Sequence, residues 1–247
     1  DGGDELFGGY DRYGIGRDIW HNIGRMPLSI RKLLANTISS VPIGVLNSSM
    51  GWLSLIVNKY GHPSTAGDKL HKLSEIISAP NPEELYLRLL QHWKTPTTLV
   101  QRSKNKDTPL NKNIYSIKLP TISEMMMYTD TITYLPDNIL TKVDRVSMNV
   151  SLEARIPFLD HRVVELAWKM PLSAKIRDGQ TKLPLRQILG QYVPHNLVSN
   201  EKLGFSMPIG GWLRGPMRDW AETLLEEGRL RKEGFLTNVR SQFQLDK

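Results

Sequence analysis

The sequence predicts a mainly α-helical protein, on three observations. Apolar residues recur at three- and four-residue spacings, as in Leu70, Leu73, Ile76, Ile77 and again in Leu85, Leu89, Leu90, which is the period of one helix face. Prolines stand where helices begin, at Pro27 and Pro82, positions whose missing N–H costs a helix nothing. Almost no stretch alternates polar and apolar residues in the manner of a half-buried strand.

A chain of 247 residues with 40% hydrophobic content buries a sizeable core, and we read residues 1–247 as a single domain. The formal net charge of +7 favours anionic partners: nucleic acid, an acidic membrane face or a phosphorylated small molecule. Cysteine is absent, which excludes disulfides, thiolate metal sites and a cysteine nucleophile within these residues, and a reducing, cytoplasmic setting is expected. No apolar run approaches the roughly 20 residues of a membrane-spanning helix, so no membrane partner is expected. The start at Asp1, without Met, reads as a piece of a longer protein.

Taken in order, Pro27 to Ser40 carries Leu28, Leu33, Leu34 and Ile38 on a helix, and Trp52 to Tyr60 reads as a short helix after the breaks at Pro42, Gly44 and Gly51. Asp68 to Ala79 and Pro82 to Trp93 form two antiparallel helices joined at Pro80-Asn81-Pro82, each with one apolar face. Thr95 to Lys118, rich in Thr, Asn and Lys, reads as a surface loop. Its Arg102, Lys104 and Lys106 lack the interleaved aromatics of a single-strand platform, so nucleic acid is not expected as a partner.

Ser123 is the expected cap of a helix carrying Met125, Met126, Tyr128, Thr129, Ile132 and Leu135, with the methionine run as core filling. Pro136 should break it, and a second helix from Asp137 should carry Lys142, Asp144 and Arg145 on its polar face. Glu153 and Arg155 are expected in a partly buried salt-bridge network joining helices. Ile156 to Asp160 should be extended, leading into a helix from Val163 to Met170. Helices over Lys182 to Tyr192 and Trp220 to Leu225 close the chain.

Two stretches point to chemistry. The opening decapeptide, Asp1-Gly2-Gly3-Asp4-Glu5-Leu6-Phe7-Gly8-Gly9-Tyr10, packs three carboxylates and four glycines into ten residues. Glycines let backbone approach a ligand closely, and the acids suit a metal-bound phosphate. The bland alternative, a polar turn capping a helix that starts near Leu6, fits equally well. Lys202, in Glu201-Lys202-Leu203-Gly204-Phe205, has the mobile point charge that can meet a phosphate, although an ordinary solvated lysine has the same composition.

Read together, the decapeptide, Tyr134-Leu135-Pro136-Asp137 with Lys142-Val143-Asp144-Arg145 through Glu153-Ala154-Arg155-Ile156-Pro157-Phe158-Leu159-Asp160-His161, and Glu201 to Phe205 resemble the synthetase domain of glutamine-hydrolysing asparagine synthetases of the bacterial B type. The resemblance implies the helical C-terminal portion of an α/β adenine-nucleotide-hydrolase-like domain, with the nucleotide-binding parallel sheet and P-loop largely missing. It implies adenylation of the aspartate side-chain carboxylate by ATP with Mg²⁺, then attack of ammonia released from glutamine. By the same resemblance Asp4 is the metal-binding acid, Lys202 and Asp1 are catalytic, and Gly2, Gly3, Lys142 and Arg145 serve cofactor binding or the site's electrostatics. Relatives that amidate a sugar or peptide carboxylate, and a non-catalytic basic helical module, are the alternatives. Without a preceding strand, Asp1 to Asp4 should be poorly anchored, and exposed apolar faces should drive self-association.

Overall fold

The computed structural model describes residues 1–42, 45, 66–91, 100, 117–194, 197 and 207–236, with side chains from residue 70 in the second helical stretch. The described residues are mostly helical and contain no sheet, only isolated antiparallel bridges at Val100–Leu236 and Arg177–Gln180. The chain divides into two compact units, Asp1–Gln91 with Thr108–Tyr192, and His92–Asp107 with Val193–Lys247.

The first unit holds α1 (Gly3–Phe7), α2 (Asp11–Ile23), α3 (Leu28–Ser40), α4 (Ala66–Ile77), α5 (Pro82–Leu90) and α6 (Ile122–Ile132). A π-helical segment (Leu135–Leu140) then leads into α7 (Thr141–Met148), and a 3₁₀ turn (Pro157–Leu159) into α8 (His161–Lys169), α9 (Leu172–Lys175) and α10 (Leu183–Leu189). Local chemistry sets these ends. Asn81 accepts a hydrogen bond from the Glu84 N–H at 2.7 Å ahead of Pro82, and Thr121 accepts from the Glu124 N–H at 3.2 Å while donating to that glutamate's carboxylate at 2.8 Å. Each satisfies an N–H that the first helical turn leaves free.

Two apolar clusters hold the unit together. The larger gathers Tyr13, Ile76, Leu85, Tyr86 and Met125 to Met127 from α2, α4, α5 and α6, so the methionines are core filling as expected. The smaller centres on Leu6, Phe7 and Ala167, with Phe158, Leu159, Val163 and Leu185 against it. Through Leu6 and Phe7, α1 packs on α6, α8 and α10. The opening segment is therefore anchored by helices that follow it, contrary to the expectation of a loose loop, because burying two large apolar side chains is worth about 1.5–3 kcal/mol each.

Several local expectations change. Pro136 does not end the helical path; the wider π turn absorbs the residue that lacks an N–H, the Asp137 N–H reaches the Thr133 carbonyl at 2.9 Å, and the chain continues into α7. Thr121, one residue before α6, is its cap, whereas Ser123 is buried and donates to the Tyr13 carbonyl at 3.1 Å. Only Ile156 of the expected extended segment is extended, and Pro157 to Leu159 form the 3₁₀ turn. Glu153 and Arg155 do pair at 2.6 Å, but with side chains 65% and 83% exposed and two residues apart, so they join no helices. The readings for Trp52 to Tyr60 and for nearly all of Thr95 to Lys118 lie outside the described residues.

The second unit has α11 (Ile209–Arg214), α12 (Arg218–Leu224) and α13 (Glu227–Glu233). Its described ion pairs, Arg218–Glu222, Arg229–Glu233 and Arg231–Glu227, are all four residues apart on one helix and solvent-exposed, the kind that steadies a helix by about 0.3–0.5 kcal/mol.

Candidate functional site

The decapeptide folds as a single helical turn and a bit more, with a glycine in the left-handed region at each end. Gly2 has φ 82° and Gly8 φ 70°, values that L side chains rarely adopt. A Cβ on Gly2 would stand 2.7 Å from a Leu159 methyl, and Gly3 is buried beside Phe158 and Leu185. The first glycine pair thus lets the backbone sink onto the Pro157–Leu159 turn. The bland reading and the functional one meet here: this is a capped helix, starting at Gly3 rather than near Leu6, and it presents Asp4.

Asp4 is only partly covered, and its carboxylate Oδ2 lies 2.8 Å from Lys182 Nζ. Lys182 is the residue that the sequence reading missed. It takes a left-handed backbone, φ 56° and ψ 34°, immediately before α10, and its N–H donates to the Phe7 carbonyl at 3.2 Å. Backbone and ammonium both face the opening segment. Gly9 makes room for them: a Cβ there would lie 2.1 Å from Lys182 Cε and 2.2 Å from Asp4 Oδ1. The one sequence signal was position, since Lys182 sits between an Asp-Gly turn and Leu183-Pro184, where a helix start fixes the side chain's direction.

Beneath Asp4 lies a buried polar network. Glu5, 1% exposed, accepts a hydrogen bond from the Tyr10 hydroxyl at 2.8 Å. Burial raises the Glu5 carboxyl above the ordinary range, partly offset by that hydrogen bond. Tyr10 stacks against the Arg12 guanidinium at 4.2 Å, which Tyr134 covers at 4.9 Å. Arg12 in turn donates to Asp130 Oδ2 through Nε at 3.1 Å and Nη2 at 2.6 Å. Asp130, fully buried, also accepts from the Tyr13 hydroxyl at 2.7 Å and from Tyr86. Burial opposes the Arg12 charge, yet the Tyr86 and Asp130 oxygens outweigh it and hold the guanidinium above its usual pKa. Burial and Asp130 push both tyrosines up.

The other expected site residues stand elsewhere. Asp1 is exposed at the start of the chain. Lys142 and Arg145 are exposed on α7, a helix with no buried residue, and neither makes an ion pair among the described residues. Lys202 lies outside the described residues. Among the described residues no three carboxylates or imidazoles converge as a metal cage. A single carboxylate such as Asp4 is no cage by itself, and Mg²⁺ commonly keeps several waters and takes only one or two protein carboxylates.

The family model described as asparagine synthase matches residues 1–244. The chain is 30% identical over 232 residues to asparagine synthetase [glutamine-hydrolyzing] 1 of Bacillus subtilis, covering 93% of this chain and 33% of that protein. It is 32% identical over 109 residues to asparagine synthetase [glutamine-hydrolyzing] 3 of the same organism, covering 44% of this chain and 17% of that protein. The chain spans about a third of the length of the first of these relatives. No solved structure matches it. With a family match that runs through the glycine-bounded turn presenting Asp4 and on through Lys182, the chain belongs to the asparagine synthase family.

Proposed function

We propose that this chain supplies one wall of the synthetase site of a glutamine-dependent asparagine synthetase, which adenylates the aspartate side-chain carboxylate with ATP and amidates it with ammonia to give asparagine, AMP and pyrophosphate. The observation that carries the reading is the Asp4–Lys182 pair, a carboxylate and an ammonium 2.8 Å apart on a glycine-bounded turn. Adenylation leaves negative charge on pyrophosphate, and a preorganised ammonium beside it stabilises that charge as it forms. Asp4 would hold Mg²⁺, which when bound would neutralise phosphate oxygens; Lys182 would then be released from Asp4 to meet the phosphates, and Lys202 would add a second cation. Asp1 is the proton acceptor for ammonia, and Lys142 and Arg145 raise the local potential.

The nucleotide-binding parallel sheet and P-loop belong, in this reading, to the part of the relatives that the chain does not span. That layer would cover the apolar side chains of the α7 region, where Val146, Met148, Val150 and Leu152 are 53–71% exposed. Alone, the chain is then inactive and self-associates through such faces; a monodisperse monomer in sedimentation would contradict the latter. ATP–pyrophosphate exchange with aspartate tests the rest. In the full-length protein, Lys182→Ala and Asp4→Asn should each lower exchange by about 10²-fold or more, whereas unchanged exchange would overturn the assignment. Product analysis with aspartate identifies the acceptor.

A further inference from the structure

We propose that the cleft walled by α9, α10 and the Arg177–Gln180 hairpin binds a free α-amino acid carrying a carboxamide, at a place separate from the Asp4–Lys182 pair. The cleft measures about 420 Å³, and its polar lining is Arg177, Asp178, Gln180 and Gln187. Small-ligand sites begin at about 300 Å³, so an amino acid fits with room for water.

The hairpin is closed by its own backbone. Arg177 and Gln180 exchange both backbone hydrogen bonds, at 3.0 and 2.8 Å, and the turn between them is Asp178-Gly179, with φ 51° and 76°. Asp-Gly with both angles positive is the pairing that two-residue hairpins favour, so the two charged residues start from a fixed backbone.

Their charges are the informative part. Among the described residues neither Arg177 nor Asp178 makes an ion pair or side-chain hydrogen bond, although both line one cleft. Both are exposed to water and neither is tied to another side chain, so each is free to meet a ligand, and a cation and an anion lining one cleft favour a ligand with both charges. An anion alone would meet Asp178, and a cation alone would meet Arg177. A zwitterion places its carboxylate on the guanidinium fork, which is shaped for two parallel hydrogen bonds, and its ammonium on Asp178. Gln180 and Gln187 each offer an N–H₂ donor and a carbonyl acceptor, the complement of a primary amide. Met170 and Leu183 supply an apolar wall. Leu183 directly follows Lys182, so the occupied cleft abuts the residue that holds Asp4, yet nothing in the binding requires catalysis by that pair.

Calorimetric titration of this chain with L-asparagine and with L-glutamine tests the assignment. Binding of at least one is expected in the millimolar range or tighter, on the order of a Kd of 1 mM. Succinamate, which lacks the ammonium, and β-alaninamide, which lacks the carboxylate, should not bind. Arg177→Ala and Asp178→Asn should each weaken binding at least about tenfold; both residues are exposed, and Asn tolerates the positive φ. Circular dichroism checks that each variant is folded, and Arg177→Lys, which keeps charge and loses the fork, should weaken binding less. Asp4→Asn should leave it unchanged. No binding by either amino acid overturns the proposal, as does binding that survives both cleft variants or is lost in Asp4→Asn.

Discussion

Asp130 and Glu153 each hold an arginine at 2.6 Å, Arg12 in one case and Arg155 in the other, under opposite conditions. Asp130 is fully buried and shares its two oxygens among a guanidinium and two tyrosine hydroxyls. Glu153 stands in solvent with a neighbour two residues away. Equal distance therefore says little about equal worth: water screens the outer pair and replaces either partner, whereas nothing inside replaces Asp130. Its removal strands three donors.

The largest effect should accordingly come from Asp130→Ala, which leaves Arg12, Tyr13 and Tyr86 without their acceptor and should lower the unfolding free energy by about 3–5 kcal/mol. Urea denaturation measures it, and a loss as small as that of a surface pair would erase the contrast. Next is Gly8→Ala. Its φ of 70° and a Cβ only 2.5 Å from Ile176 Cδ1 predict a loss of about 2 kcal/mol in the same measurement.

Glu5→Gln should act in the other direction and through pH. Burial raises the Glu5 carboxyl above the ordinary glutamate range, so the folded protein holds this proton more tightly than the unfolded chain. Stability is lost as pH rises from the unfolded glutamate value of about 4.3 through the raised folded value, and the full cost of the buried charge applies above it. Glutamine removes that titration and still accepts from Tyr10. The variant's advantage in thermal midpoint should be small at pH 4, grow with pH and then level off; a pH-independent difference would show that Glu5 does not titrate in the fold. The smallest effect belongs to Glu153→Ala, at about 0–1 kcal/mol, with a further decrease in salt.

Much of the helical frame was legible locally. The apolar period located α3, α4, α5, α6, α8 and α12 to within a few residues, because burying one face is what a helix of that length requires. Proline was read too rigidly at Pro136, where a wider turn accommodates it. The acidic decapeptide was visible as a candidate site from its glycines and carboxylates, and Asp4 was chosen within it. Its partner was not. Lys182 lies 178 residues away in a segment that reads as an ordinary helix start, and burial was expected for the charges of Glu153 and Arg155 rather than for Asp130, which follows the methionine run in the sequence.

The sequence by itself determined the helical class, the capped ends and the glycines that permit a left-handed turn, since each depends on a few neighbouring residues. Tertiary structure alone decided which charges are buried and which are paired. Arg12 and Asp130 are 118 residues apart, and so are brought within 2.6 Å only when α2 and α6 pack. The energy of an ion pair depends on the water it has lost, and that is a property of the packed core rather than of the residues that carry the charge.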